Sequence, residues 1–255
     1  MAEWEIVPLL DAEGSFATYG EAFPDLSAEE VEAERERWPE CFRGDDLWLP
    51  FRVFLLRGEL TIVVDAGLGP PPNGLLPDSP TKLPQELERV GVAPDDVELA
   101  VFTHLHVDHV GWAPLFTSAR AVVPAADWAY FDRPQTREKF ALFEERGALE
   151  LAEDAQKVAP DIELVPTPGH TPGHVSVRVG DTLLVGDVVV TPTHFTNPDL
   201  VFAPGDHDGA HAARTRRATL AQLAADGTRI ASPHLPTPFG RVERAGEGFA
   251  WRPSN

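Results

Sequence analysis

Three imidazoles and a carboxylate arrive within His104-Leu105-His106-Val107-Asp108-His109, directly after the apolar run Leu99-Ala100-Val101-Phe102. A short apolar run of this kind reads as a buried strand. The chain must therefore end a core element on four metal-ligand-type side chains. In an extended segment alternate side chains share a face, so His104 and His106 can point at one ion. Asp108 and His109 follow after the chain turns and can face a second. Neutral imidazole and carboxylate suit Zn, Mn, Fe or Co. The competing reading is a solvated polar loop, and ligand types packed this tightly behind a buried strand argue against it.

At 255 residues with 43% apolar content, the chain can bury a sizeable core, and no repeat, low-complexity tract or Gly/Ser linker divides it. We expect one domain over residues 1–255, with a loop-helix insertion around residues 11–48. The net charge of -20 repels phosphate backbones and no basic stripe is present, which weighs against nucleic-acid partners. No run is long enough to span a bilayer. The N-terminal residues lack the basic and apolar regions of a signal peptide. A single cysteine, Cys41, allows no intrachain disulfide. The expectation is a cytoplasmic protein with no membrane partner.

In chain order, a strand is predicted around Trp4–Leu10. A loop follows, and then a helix opening on Ser27-Ala28-Glu29-Glu30, a capping-box pattern, and running to about Arg37 before Pro39. That helix reads either as a surface helix or as a lid. Leu49–Arg57 and Leu60–Val64 flank Gly58-Glu59 as a hairpin. Residues 68–80 are Pro-rich loop, and a helix covers roughly Lys82–Val90. Val97–Thr103 is the strand that delivers the histidines, with a short helix beginning over Gly111–Phe116. Arg120–Val123 is a strand; Ala125–Phe131 and Pro134–Glu145 are helices. Phe140 and Phe143 on the latter read as core before cleft. Ile162–Val165, His174–Val179, Thr182–Val185, Arg229–Ala231, Gly240–Arg244 and Phe249–Arg252 are strands. Gly209–Ala225 is a helix with Leu220 and Leu223 inward and Arg214, Arg216 and Arg217 outward.

The His-x-His-x-Asp-His run is followed in order by Thr167-Pro168-Gly169-His170, Val185-Gly186-Asp187 and Ser232-Pro233-His234. From about Phe51 onward this series resembles the metallo-β-lactamase-fold hydrolases. Thr103–Trp112, Gly186-Asp187, Arg214–Arg217 and His234–Gly240 together look like the lactonase and organophosphate-hydrolase-like branch. Spacing alone gives α/β or α+β; the resemblance implies an α/β four-layer αββα sandwich with the ligand loops at one edge. It also implies two divalent ions, Zn by default, with Mn, Co or Fe fitting the same donors. His104, His106 and His170 would hold the first metal, Asp108, His109 and His234 the second, and Asp187 would bridge them. Asp65, in Asp65-Ala66-Gly67, would support the metal loop.

The activity implied is hydrolysis of a lactone or other carboxylic ester by a hydroxide shared between the ions, with Asp108 passing a proton to the leaving group. A glyoxalase II-like thioesterase or a phosphotriesterase is the alternative, and a mononuclear iron sulfur dioxygenase is less favoured. Zinc β-lactamases with a cysteine ligand are excluded by Asp187, and diiron flavoprotein relatives by His106. Several acyl-homoserine lactonases place a tyrosine three residues after the bridging aspartate. This chain has Val190 there and only Tyr19 and Tyr130 elsewhere, which weighs against that substrate. The resemblance is compatible with a homodimer. His174 reads as a residue that orients a ligand, or as a structural one. His194 and His207, with Phe195 and Phe202, are expected in a pocket wall, and Trp112 at a pocket floor or in the core.

Overall fold

The computed structural model describes residues 4–153 and 155–254. The N-terminal stretch read for a signal peptide therefore lies partly outside the described residues. Leu49–Arg57 shows how the architecture arises. Its alternate residues are apolar on both faces, so the strand must be covered twice. Val53 and Leu55 pack against helices, whereas Phe54 and Leu56 pack against a second sheet.

The first sheet runs in the spatial order Glu5–Gly14, Leu49–Arg57, Thr61–Val64, Leu99–Val101, Arg120–Pro124, Leu149–Ala152. The first three strands are antiparallel neighbours; from Thr61–Val64 onward the pairing is parallel. Parallel neighbours need crossovers. The helix Leu83–Arg89 lies in the first crossover, the short helix Val107–Val110 in the second, and Ala125–Tyr130 and Pro134–Glu145 in the third, and they cover one face through Leu83, Leu87, Val110, Trp128, Phe140 and Phe143. The second sheet runs Gly248–Ser254, Phe239–Ala245, Arg229–Ala231, Thr182–Leu184, Val175–Val179, Ile162–Pro166, Lys157–Ala159. It is antiparallel except where Thr182–Leu184 pairs with Arg229–Ala231. The crossover between those two contains the helix Gly209–Asp226, whose Leu220 and Leu223 cover the outer face. Between the sheets, Phe54, Ile62, Val64 and Val101 meet Leu164, Val177, Leu184 and Phe239. The result is the αββα sandwich. Among the described residues no helix is long and apolar enough to cross a membrane.

This topology fixes where chemistry can occur. Ligand sites in open α/β sheets form outside the carboxyl ends of the strands. The residues following Leu99–Val101, Ile162–Pro166, Thr182–Leu184 and Arg229–Ala231 are the four stretches that carry the candidate ligands.

Several elements depart from the sequence reading. The first strand continues to Gly14 through an irregularity between Leu10 and Ala12. The helix expected from Gly111 begins instead at Val107, so Asp108 and His109 stand on it, and Ala113–Leu115 is a separate single turn. Leu149–Ala152 and Lys157–Ala159 were not predicted as strands. Both lie at sheet edges, where a polar, half-exposed sequence leaves little alternation to read. Arg216 is not outward but 1% exposed. It donates to the carbonyls of Val188, Pro198 and Leu200 and to Asp206.

The segment around residues 11–48 packs Tyr19, Phe23, Cys41, Phe42 and Leu47 against Leu68, Val190, Leu200 and Phe202. Its helix Ala28–Arg37 has the expected capping box between Ser27 and Glu30. Glu34 is its buried residue, accepting from Thr193 Oγ1 at 2.6 Å. The Tyr19 hydroxyl meets the same Thr193 oxygen.

Candidate metal centre

The loop after Leu99–Val101 is held open by groups outside it. Asp65 accepts from the Thr103 amide at 2.8 Å and from the Thr103 hydroxyl at 2.9 Å. Its backbone sits at φ 66°, a left-handed conformation that aspartate tolerates better than bulkier residues. Asp127 accepts from the Leu105 amide at 3.1 Å, and from Thr171 Oγ1 at 2.8 Å and the Gly173 amide at 2.6 Å in the loop that carries His170. One carboxylate thus registers two loops from different sheets. Gly111 passes directly against the Leu68–Gly69 backbone; a Cβ there would stand 1.9 Å from the Leu68 carbonyl carbon.

All seven candidate ligands converge. His104 Nε2 lies 3.0 Å from His106 Nδ1, which lies 3.0 Å from His170 Nε2. On the other side, His109 Nε2 and His234 Nε2 are 3.3 Å apart, with Asp108 Oδ2 at 3.5 and 3.6 Å from them. Asp187 stands between the trios. Its Oδ2 is 3.2 Å from His170 Nε2 and 4.0 Å from His104 Nε2. Its Oδ1 is 3.2 Å from both His109 Nε2 and His234 Nε2. Donors bound tetrahedrally at zinc distances stand roughly 3.3 Å apart. Both trios are near that spacing, and each trio's donor atoms lie within 4.8 Å of one another.

The remaining nitrogens of four of these histidines are engaged. His104 Nδ1 is 3.1 Å from Thr103 Oγ1, His109 Nδ1 is 2.8 Å from Asp65, His170 Nδ1 is 2.9 Å from Asp206, and His234 Nδ1 is 2.9 Å from the Pro50 carbonyl. An imidazole that donates from one nitrogen presents a lone pair from the other, the arrangement seen around bound metals. Among the described residues Asp187 Oδ1, though 3.2 Å from two imidazole nitrogens, is buried without a hydrogen bond of good geometry. A buried carboxylate oxygen without a donor is costly, and a cation between the trios would satisfy it. The residues therefore fit divalent metal ions.

Electrostatics point the same way. Burial opposes ionisation of Asp187, yet His234, His109 and His170 outweigh it and hold the carboxyl well below its usual range. Burial likewise opposes ionisation of Asp108, but His109 and His234 bring it down to about 2. Burial pushes His104 well down and brings His106 to about 4. In His170 burial is overcome by Asp187 and Asp206, which lift it to about 9, and in His109 by Asp187, Asp108 and Asp65. Without metal, these two imidazoles carry the compensating positive charge.

The centre opens into a cavity of 710 Å³, within the range of small-molecule sites. Phe16, Leu75, Tyr130, Phe131 and Phe202 form apolar wall, and His207 and Arg133 add polar groups. The insertion contributes Phe16 to the lining, which includes no described residue of its helix Ala28–Arg37.

His174 stays outside both trios: its Nε2 accepts from the Asp187 amide at 3.0 Å and its Nδ1 faces Thr167 Oγ1 at 2.9 Å. It orients Asp187. His194 and Phe195 were expected in the pocket wall and are not there. His194 is fully buried, accepting from the Val190 amide at 3.2 Å, and Phe195 stacks on Trp251 in the core. Trp112 lines a neighbouring groove and donates to Asp11 at 3.1 Å. Asp11, Asp127 and Asp206 were missed in the sequence, each being a lone carboxylate outside any ligand spacing. For Asp206 the neighbouring His207 was the available cue.

A family model described as the metallo-beta-lactamase superfamily matches residues 52–234. An N-acyl homoserine lactonase from Bacillus sp is 31% identical over 127 residues, 48% of this chain and 50% of that protein. Metallo-beta-lactamase domain-containing protein 1 from Xenopus laevis is 34% identical over 173 residues, 65% of this chain and 60% of that protein. The chain thus spans about half the length of the curated lactonases it matches. Among solved structures, the hydrolase AbOPH in the beta lactamase superfamily superposes with a TM-score of 0.87 at 24% identity, covering 99% of this chain and 94% of that one. AidC, a dizinc quorum-quenching lactonase in complex with a product, N-hexnoyl-L-homoserine, gives 0.84 at 21% identity, covering 100% and 96%. These likenesses share the fold.

Proposed function

The chain belongs to the metallo-beta-lactamase superfamily, and from that premise we propose that it is a dinuclear metal-dependent hydrolase acting on a lactone or other carboxylic ester. The observation that carries this reading is Asp187, with one carboxylate oxygen facing each donor trio. Two filled trios favour a pair of ions over the single iron of a dioxygenase. The lactonases among the relatives support the substrate class. We take residues 1–255 as one domain, since the 11–48 segment shares a cluster with residues beside the site.

In this reading His104, His106 and His170 would hold one ion and Asp108, His109 and His234 the other, with Asp187 a ligand available to both. Zinc is the first candidate for such a donor set. Bound there, two divalent cations supply a water ionised near neutral pH and a Lewis acid for the carbonyl oxygen. The protein supplies the rest. Asp65, Thr103, Asp206 and the Pro50 carbonyl fix the histidine tautomers. Asp108 lines the cavity as an anion and is the group placed to take up the proton released by the attacking water and return it to the leaving alkoxide. The aromatic wall excludes water from the acyl or alcohol portion. Val190, buried in the insertion cluster, offers no hydroxyl to the carbonyl oxygen, so a substrate other than an acyl-homoserine lactone is favoured.

The test is a panel of lactone, thiolactone, aryl ester and phosphotriester assayed with metal-loaded protein, alongside metal analysis. Two ions per chain and ester or lactone turnover that chelation abolishes are expected. No more than one bound ion, or no turnover of any ester, refutes the proposal.

A further inference from the structure

The charge of the cavity wall is at odds with the charge of the chain. Acidic residues outnumber basic ones 41 to 21, yet the carboxylates lining the cavity are Asp108, Asp187 and Asp206, all committed to the centre. Asp108 and Asp187 face the donor trios, and Asp206 is bound to His170 and Arg216. The one lysine or arginine in the lining is Arg133.

Arg133 is also unspent. Many of the other arginines are used: Arg35, Arg57, Arg120, Arg217 and Arg252 pair with carboxylates, and Arg52 donates to backbone carbonyls. Arg133 makes no ion pair or side-chain hydrogen bond among the described residues; its guanidinium carbon stands 5.7 Å from the centre of the Phe131 ring. The adjacent Asp132 is engaged by Arg137 at 2.8 Å. Gln135 and Thr136 follow Arg133 on the same wall, and Tyr130 and His207 lie on it with ring centroids 4.6 Å apart. A guanidinium kept free of the abundant carboxylates, in the same cavity as the metal donors, is suited to a planar anion.

We propose that Arg133 is a specificity residue that binds a carboxylate or similar anionic group carried by the substrate at a distance from the scissile ester. The inference rests on the hydrolase reading and narrows its substrate class to esters or lactones bearing an anion. Attraction from Arg133 and from the cations of the centre offsets the repulsion an anion meets from the chain as a whole.

Binding tests this apart from turnover. Linear dicarboxylates of varied length, and the monoamide of each, are titrated into zinc-loaded protein by calorimetry, with wild type, Arg133→Gln and Arg133→Lys. One carboxylate of each ligand can occupy the centre, leaving the other end to report on Arg133. At the best length, wild type is expected to prefer the dicarboxylate about fivefold over its monoamide. The preference falls to about the twofold statistical value of two equivalent carboxylates in Arg133→Gln, persists in part in Arg133→Lys, and shrinks as sodium chloride is raised. A preference equal in wild type and Arg133→Gln, absent at every length, or accompanied by no binding of either ligand overturns the inference. Hydrolysis of a neutral lactone by wild type is scored separately. If it occurs without the binding preference, this inference alone fails; if no ester is cleaved, the hydrolase reading fails.

Discussion

Replacing Asp206 with Asn isolates the support of one donor trio. The side chain is fully buried and accepts from His170 Nδ1 at 2.9 Å, the Phe202 amide at 2.9 Å and Arg216 Nη2 at 3.2 Å. An amide of the same shape keeps two acceptor contacts but leaves the Arg216 guanidinium without its carboxylate. Loss of a group that orients a metal-binding imidazole lowers affinity about 10–100-fold, or about 1.4–2.7 kcal/mol. A proton partly offsets this loss. Asp206 helps hold His170 up to about 9, so at neutral pH it strengthens the proton that metal must displace. Asn weakens that competitor, and the affinity deficit should be smaller at pH 7 than at pH 9. Competition titration with a chromophoric chelator at both pH values measures it. One of the two ions should be weakened while the ion beside His234 is retained. Separately, the metal-free variant should lose up to about 3 kcal/mol because the buried Arg216 keeps its carbonyl acceptors but loses its counter-charge, or roughly 6–12 °C in Tm. Affinity for both ions unchanged from wild type at both pH values would refute the role given to Asp206.

Asp108→Asn, assayed with enough metal to keep both ions bound by metal analysis, should lower kcat by about 100-fold; unchanged turnover with intact metal removes its proton role. Loading the metal-free protein at pH 7 should release protons, because His109 and His170 are held protonated and must be neutral to bind. Calorimetry in buffers of different ionisation enthalpy reads this, and a buffer-independent heat contradicts it. In the metal-free protein the raised His170 contributes stability in full below its unfolded value near 6.5, lost as pH rises through about 9; denaturation midpoints across that window should fall. Gly111→Ala drives a methyl into the Leu68 backbone and should cost about 1–3 kcal/mol in urea unfolding, with no loss counting against that account.

What could be read in the sequence was set by locality. Three imidazoles and an aspartate within six residues carry their meaning in their spacing, and the αββα layering follows once that motif ties the chain to its family. Asp127 gives no such signal, because its partners are the amides of Leu105 and Gly173 and the hydroxyl of Thr171. Asp11 similarly gathers the amides of Leu68, Lys82 and Leu83. Such carboxylates become visible only when distant strands are brought together. Arg216 misled for a related reason. A polar position on an amphipathic helix faces water unless enough acceptors await it inside, and its carbonyl partners lie 16 to 28 residues upstream.

The donors divide between the sheets in a way that constrains assembly. His104 and His106 emerge from the first sheet and His170 from the second; Asp108 and His109 emerge from the first and His234 from the second. Neither half of the sandwich owns a complete trio. Strong chelation must wait until the two halves have docked, and each captured cation then acts as a rivet across their seam. Tearing the halves apart forfeits both ions together.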